Sequence, residues 1–103
     1  MVAAVGDRVP LAPYATFGTD ALAESVVQTL GGRYGAALLE RHGVLAVGAT
    51  PEEALDRAVA VEHVAHVTYL ALQLGYPEPL PPDEVQRLVE RFKTYGKAEP
   101  PEA

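Results

Sequence analysis

The chain has 103 residues, of which 49% are hydrophobic and 21% charged, and its formal net charge is −6. This composition is typical of a single folded domain and excludes a wholly disordered chain. The eight Lys and Arg residues are scattered, so we expect no nucleic acid as a partner, because duplex binding relies on clustered cations. There is no cysteine, which excludes disulfide bonds and thiolate metal sites.

The first part of the chain predicts an extended segment and a helix. Residues 9–18 contain two prolines in an extended-type segment, which favours an edge strand followed by a loop. Thr19 is a predicted N-cap, and the apolar residues after it recur at helical spacing. The pair Gly31-Gly32 predicts the end of this helix.

A β-hairpin is predicted next. Residues 36–41 and 44–47 flank the pair His42-Gly43, which predicts a two-residue loop. His tolerates a positive φ better than most residues, so a tight turn is one explanation for this pair. The other explanation is that His42 presents a ring nitrogen to a ligand from the rigid end of the hairpin. The hairpin alone leaves both open.

A long helix is predicted from Thr50 to about Leu74. Thr50 can cap it, Pro51 suits its first turn, and Glu53 stands where a capping box requires a carboxylate. Its middle, residues 58–61, is apolar on every side, which is typical of a helix covered on more than one face. We therefore expect this helix to lie in a subunit interface or under a part of the protein outside this sequence.

Four polar residues interrupt the apolar run of residues 58–74, namely Glu62, His63, His66 and Gln73. The run therefore predicts no membrane span. His63 and His66 have a spacing that can bind metal, but their apolar surroundings favour helix–helix contacts. The amino terminus also lacks the basic region of a signal peptide, so we expect a cytoplasmic protein that does not bind membranes.

The last predicted helix begins at Pro81–Glu84 and ends at Gly96. Its apolar residues lie on one face: Val85, Leu88, Val89 and Phe92. Residues 97–103 are predicted to form a flexible tail. One hairpin, one extended segment and three helices give too few strands for a self-sufficient sheet, so the sequence predicts part of a larger α/β layer structure.

Three segments, in this order, resemble the class II aldolase family, which includes the head domains of adducins. They are residues 12–19 (APYATFGT), 39–44 (LERHGV) and 91–96 (RFKTYG). The third points, within the family, to the fuculose-phosphate aldolases. The resemblance implies that residues 1–96 are the carboxyl-terminal half of a three-layer α/β/α domain with a mostly antiparallel central sheet. Met1 would then be an internal residue of a longer protein.

The resemblance also implies a zinc ion. In the family three histidines and a glutamate hold this ion, and only the third histidine has a counterpart here, His42. The other ligands and the phosphate-binding loop would lie upstream of Met1. With the flanking motifs, the interpretation of His42 as a zinc ligand is preferred to that of a turn residue.

Two aromatic residues are given roles by the same resemblance. Tyr95 would be catalytic, donating a proton or a hydrogen bond in the active site of a neighbouring subunit, and the alternative is a packing tyrosine at a frayed helix end. Phe17 would form an apolar wall beside the aldehyde portion of the substrate, and the alternative is a core aromatic.

The implied function is reversible cleavage of a ketose 1-phosphate, such as L-fuculose 1-phosphate, to dihydroxyacetone phosphate and an aldehyde. Zinc would stabilise the enediolate that this cleavage leaves. The implied assembly is a homotetramer with active sites at subunit interfaces, and the chain alone is expected to be inactive. The alternatives are a pentulose-phosphate 4-epimerase or dehydratase of the same family, and a metal-free assembly module of the adducin type.

Overall fold

The structure is a computed structural model that describes residues 5–94. Tyr95 and the predicted tail, residues 97–103, lie outside the described residues. The described part contains three strands and three helices in the order β1, α1, β2, β3, α2, α3. These elements agree with the predicted edge strand, hairpin and three helices.

Helix α1 covers Asp20–Leu30, and both of its predicted ends are confirmed. The Thr19 hydroxyl accepts a hydrogen bond from the backbone N–H of Leu22 at 3.3 Å, which satisfies one of the free donors of the first turn. Gly31 takes a left-handed conformation with φ 56°, and its N–H donates to the carbonyl of Val27. Glycine adopts this conformation without the steric cost of a Cβ atom, so the helix ends here.

The three strands form one mixed sheet in the order β1-β2-β3. Strand β1 (Leu11–Ala12) runs parallel to β2 (Ala36–Leu39), and β2 runs antiparallel to β3 (Gly43–Ala46). The prediction that the proline-flanked segment forms an edge strand is confirmed for the sheet formed by residues 5–94. Within residues 5–94 no strand pairs with the outer edge of β3.

The hairpin loop differs from the sequence-based prediction. The pairing of Leu39 with Gly43 leaves three loop residues, Glu40 to His42, rather than the two-residue loop His42-Gly43. The N–H of His42 donates to the carbonyl of Leu39 at 2.9 Å, and the positive φ values at this turn belong to Arg41 (64°) and Gly43 (143°). His42 does not itself take a positive φ, but it is a residue of this loop. Its role as a metal ligand rather than a turn residue stays a prediction.

Helix α2 covers Pro51–Leu72, 22 residues or about 33 Å of helix. Thr50 accepts from the N–H of Glu53 at 3.1 Å, as the capping motif predicts. The helix ends two residues earlier than predicted. Helix α3 covers Pro82–Phe92, and its four predicted apolar positions form a half-buried face.

The first two helices pack on opposite faces of the sheet. Leu39 and Leu45 face α1, whereas Ala36 and Ala46 face α2 around the buried side chain of Val61. Successive side chains of a strand point to opposite faces of a sheet. Since α1 and α2 contact alternate residues of the same strands, one helix lies on each side of the sheet. The result is a helix–sheet–helix arrangement, as expected for part of a three-layer α/β domain.

Many apolar side chains of α2 are exposed despite this packing. They include Leu55 (64% exposed), Val59 (59%), Tyr69 (64%) and Leu70 (53%). The sequence predicts that this helix carries more apolar surface than the chain can bury, and this is confirmed for the described residues. None of the described helices is both long and apolar enough to cross a membrane.

Candidate metal and substrate site

The parallel pairing of β1 with β2 brings the loop after β1 to the tip of the hairpin. The N–H of Leu38 donates to the carbonyl of Pro10 at 2.8 Å, and that of Glu40 donates to the carbonyl of Ala12 at 3.1 Å. Parallel strands end at the same edge of a sheet. Residues 13–17 and the loop residues 40–42 therefore leave the sheet side by side.

His42 lies at this edge with an exposed, hydrogen-bonded ring. Its Nε2 atom is 2.8 Å from the carbonyl oxygen of Ala15. A carbonyl oxygen only accepts, so Nε2 donates and the neutral ring keeps its lone pair on Nδ1. Metal-binding histidines commonly donate their second ring N–H in this way, which fixes the tautomer and the ring orientation. A metal ion that binds while this hydrogen bond is kept would bind through Nδ1.

Tyr14 and Glu40 complete the surroundings of the ring. The rings of Tyr14 and His42 are stacked, with centroids 5.3 Å apart and planes 12° apart. A carboxylate oxygen of Glu40 accepts a hydrogen bond from the backbone N–H of Tyr14 at 3.2 Å. The loop after β1 is thus attached to the hairpin at three points close to His42.

Phe17 lies in the turn before α1, two residues after Ala15, and its side chain is 78% exposed. The neighbouring turn is held by a 2.6 Å hydrogen bond from the Thr19 hydroxyl to the carbonyl of Thr16. Within the described residues Phe17 is not a core aromatic. Its place beside a substrate stays a prediction.

Of the other candidate residues, only His63 and His66 are described, and neither joins this cluster. Tyr95 lies outside the described residues. His63 and His66 are exposed on α2, so the helix–helix contacts predicted for them are not made within residues 5–94.

The residues present do not amount to a metal site by themselves. In the part of the chain from residue 5 to residue 94, no three His, Cys, Asp or Glu side chains come together as a possible ligand set. A zinc site needs three or four ligands in tetrahedral geometry. His42 fits the role of one ligand, because its ring is exposed and its tautomer is fixed, and the rest of the set must come from elsewhere.

We therefore expect the 103-residue chain to retain at most substoichiometric zinc after desalting, because one imidazole binds the ion weakly. Metal analysis by mass spectrometry measures this directly. One tightly held zinc per chain would contradict it and would direct attention to His63 and His66.

A cleft with a volume of about 660 Å³ lies away from His42. It is lined partly by cationic side chains, but these form ion pairs: Arg33 with Asp7 at 3.3 Å and Lys93 with Glu90 at 2.9 Å. No residue of the loops 13–17 and 40–42 lines it. The cleft therefore gives no support to a substrate site separate from the edge of the sheet.

Two residues near His42 were missed by the sequence analysis. From the sequence, no role was assigned to Tyr14 or to Glu40. Their contacts depend on the parallel pairing of a two-residue strand, a segment too short to show any periodicity. The APYATFGT segment itself was the only signal that could have drawn attention to Tyr14.

Comparison with known proteins identifies the family. The family model described as "Class II Aldolase and Adducin N-terminal domain" matches residues 1–69. The chain belongs to the class II aldolase and adducin family. The resemblance inferred from the three sequence segments is thereby confirmed.

Several curated relatives carry aldolase names. The 5-methylthioribulose-1-phosphate/5-deoxyribulose-1-phosphate aldolase of Rhodospirillum rubrum is 44% identical over 91 residues, which cover 88% of this chain and 41% of that protein. The L-fuculose phosphate aldolase of Escherichia coli K12 is 42% identical over 97 residues, which cover 93% of this chain and 45% of that protein. The 5-deoxy-D-ribulose 1-phosphate aldolase of Bacillus thuringiensis is 35% identical over 97 residues, which cover 94% of this chain and 45% of that protein.

A solved structure of an L-fuculose 1-phosphate aldolase matches with a TM-score of 0.83 and 36% identity, covering 89% of this chain and 43% of that one. The chain thus spans less than half the length of these relatives, and the match is to their carboxyl-terminal part. The α/β fold class is confirmed by this structural match.

Proposed function

We propose that this chain supplies the carboxyl-terminal half of a class II aldolase that cleaves a ketose 1-phosphate to dihydroxyacetone phosphate and an aldehyde. The observation that carries the proposal is the 0.83 TM-score to an L-fuculose 1-phosphate aldolase at 36% identity over 89% of the chain. The curated relatives support the same reaction class, because those described above are all aldolases of ketose phosphates.

The residues proposed for the reaction are His42, Phe17 and Tyr95. His42 contributes one zinc ligand, and the remaining ligands come from a segment equivalent to the other half of the relatives. The zinc ion, when bound, supplies a Lewis acid for the carbonyl group of the substrate. Phe17 offers an exposed apolar surface to the aldehyde portion, and Tyr95 serves as a proton or hydrogen-bond donor.

The proposed assembly is a homotetramer with active sites between subunits. The exposed apolar residues of α2 support it, because so many exposed apolar side chains on one helix favour an interaction site. We place the enzyme in the cytoplasm, since its proposed substrate is a phosphorylated metabolic intermediate.

Two substrate classes fit the relatives. Cleavage between C3 and C4 gives dihydroxyacetone phosphate in every case, and only the aldehyde differs. L-Fuculose 1-phosphate gives lactaldehyde, whereas 5-deoxyribulose 1-phosphate gives acetaldehyde. The second class is a serious candidate, because the Rhodospirillum rubrum relative at 44% identity carries that substrate in its name.

The test is to supply the complete, zinc-loaded protein with L-fuculose 1-phosphate, 5-deoxyribulose 1-phosphate and 5-methylthioribulose 1-phosphate in separate reactions. Released dihydroxyacetone phosphate is measured by coupling to a dehydrogenase that reduces it with NADH. We expect release from at least one substrate, abolished by a chelator and restored by zinc.

The ratio of kcat/KM between the three substrates then assigns the substrate class. If folded, metal-loaded protein releases no dihydroxyacetone phosphate from any of them, the aldolase proposal is wrong. Conversion of a pentulose 5-phosphate to its 4-epimer by the same protein would favour the epimerase alternative.

A further inference from the structure

We propose that Glu40 and Tyr14 are positioning residues that fix the orientation of the His42 ring. Together with Ala15 they form a set of contacts, here called the loop–hairpin clamp, that consists of Tyr14, Ala15, Glu40 and His42. Neither Glu40 nor Tyr14 is itself proposed to touch metal or substrate.

The clamp begins where the β1–β2 ladder stops. The last ladder bond described is the one from the N–H of Glu40 to the carbonyl of Ala12, at 3.1 Å. Pro13 has no N–H, so the next donor along the first segment is the N–H of Tyr14. In a continuing parallel ladder its acceptor would be the backbone carbonyl of Glu40.

The hairpin turns at Glu40, and the side chain of this residue provides the acceptor instead. Its carboxylate oxygen lies 3.2 Å from the N–H of Tyr14. The side chain thus replaces a main-chain acceptor and keeps the loop attached to the hairpin beyond the last pair of strand residues. A hydrogen bond to a carboxylate is also stronger than one to a neutral carbonyl.

The two other contacts act on the His42 ring itself. Stacking on Tyr14, with planes only 12° apart, restricts the plane of the ring. The 2.8 Å hydrogen bond to the carbonyl of Ala15 selects one of the two orientations that differ by a ring flip. Because Tyr14 and Ala15 are adjacent, the hydrogen bond from the N–H of Tyr14 to the carboxylate of Glu40 holds both of these contacts in place.

The consequence for metal binding rests on the proposed function. A ligand whose ring is already oriented loses less rotamer freedom when it binds an ion, so the clamp is expected to raise the affinity of the assembled site. The clamp contacts themselves do not depend on metal or on catalysis, and they can be measured without either.

The experiment compares three variants of the complete protein with the original, with zinc removed and no substrate added. Glu40→Ala removes the acceptor, Glu40→Gln keeps an oxygen acceptor without the charge, and Tyr14→Ala removes the stacked ring but keeps the backbone N–H. Hydrogen exchange measures how fast the backbone amide proton of residue 14 exchanges with solvent. Long-range proton–nitrogen NMR spectra measure the tautomer populations of His42.

In Glu40→Ala we expect the amide of Tyr14 to exchange about tenfold faster and the Nε2–H tautomer of His42 to lose population. Glu40→Gln should stay within about twofold of the original exchange rate, because its amide oxygen also accepts. Tyr14→Ala should keep the slow amide exchange at residue 14 and still shift the tautomer population.

Unchanged exchange at Tyr14 together with an unchanged His42 tautomer in Glu40→Ala would overturn the proposal. Failure of Glu40→Gln to restore slow exchange would overturn the hydrogen-bond mechanism. Circular dichroism checks the fold of each variant, and if Glu40→Ala unfolds, Glu40→Gln and Tyr14→Ala decide the question between them. Failure of the aldolase proposal would leave these results unaffected, since no substrate or metal is present.

Discussion

Replacing His42 by Ala in the complete protein is expected to lower its zinc content and its turnover together. The variant loses one ligand of a tetrahedral set. A site with one protein ligand fewer binds zinc less tightly than the complete site. We expect turnover to fall on the order of a hundredfold or more, since even partners that only support a ligand cost 10–100-fold. Zinc per chain by mass spectrometry and initial rates of dihydroxyacetone phosphate release measure the two effects.

The matched control is His66→Ala, which removes an imidazole that is exposed on α2, outside the loop–hairpin clamp. This variant should keep its zinc and most of its turnover. Full zinc content in His42→Ala would show that His42 is not a ligand. Loss of zinc only in His66→Ala would move the metal site to the long helix.

Replacing Tyr95 by Phe is expected to separate metal binding from turnover. The change deletes one hydroxyl and keeps the ring, so zinc should stay bound while turnover falls roughly ten- to a thousandfold, the range for one acid–base or orienting contact. Tyr76→Phe is the matched control, because Tyr76 is 87% exposed in the described chain and has no proposed role.

The same variant tests the assembly. If Tyr95 serves the active site of a neighbouring subunit, mixed tetramers of Tyr95→Phe and His42→Ala subunits should regain activity. Some sites then combine an intact His42 from one subunit with an intact Tyr95 from the next. Mixtures that exchange subunits, as shown by native mass spectrometry, and still regain nothing would place Tyr95 in its own subunit's site or outside catalysis.

Local signals in the sequence were enough to predict the helices. Thr19 and Thr50 cap the helices that they were predicted to cap, and Gly31 ends α1 in the left-handed conformation. Each of these signals acts over one helical turn, through a side-chain acceptor for a free N–H or through a residue that tolerates positive φ. The apolar excess of α2 was also readable, because it depends only on spacing along one helix.

The family could be recognised from three short segments in order, and the comparisons confirm it. The family resemblance suggested that His42 is a metal ligand, whereas the hairpin sequence alone left the ligand and turn interpretations open. The structure adds that the positive φ values of the turn belong to Arg41 and Gly43 and not to His42, which lies between them. That difference of one residue in the loop follows from the register of β2 and β3, which the sequence pattern of two short apolar runs does not determine.

Only the tertiary structure decided what surrounds His42. The sequence by itself determined the helices, the edge strand, the hairpin and the family, because these depend on neighbouring residues or on the order of short segments along the chain. The contacts of His42 with Tyr14 and Ala15 join positions 27 or 28 residues apart, and they arise from the parallel pairing of a two-residue strand. Such pairing depends on tertiary packing, here of β1 against β2 and α1, which no local pattern encodes.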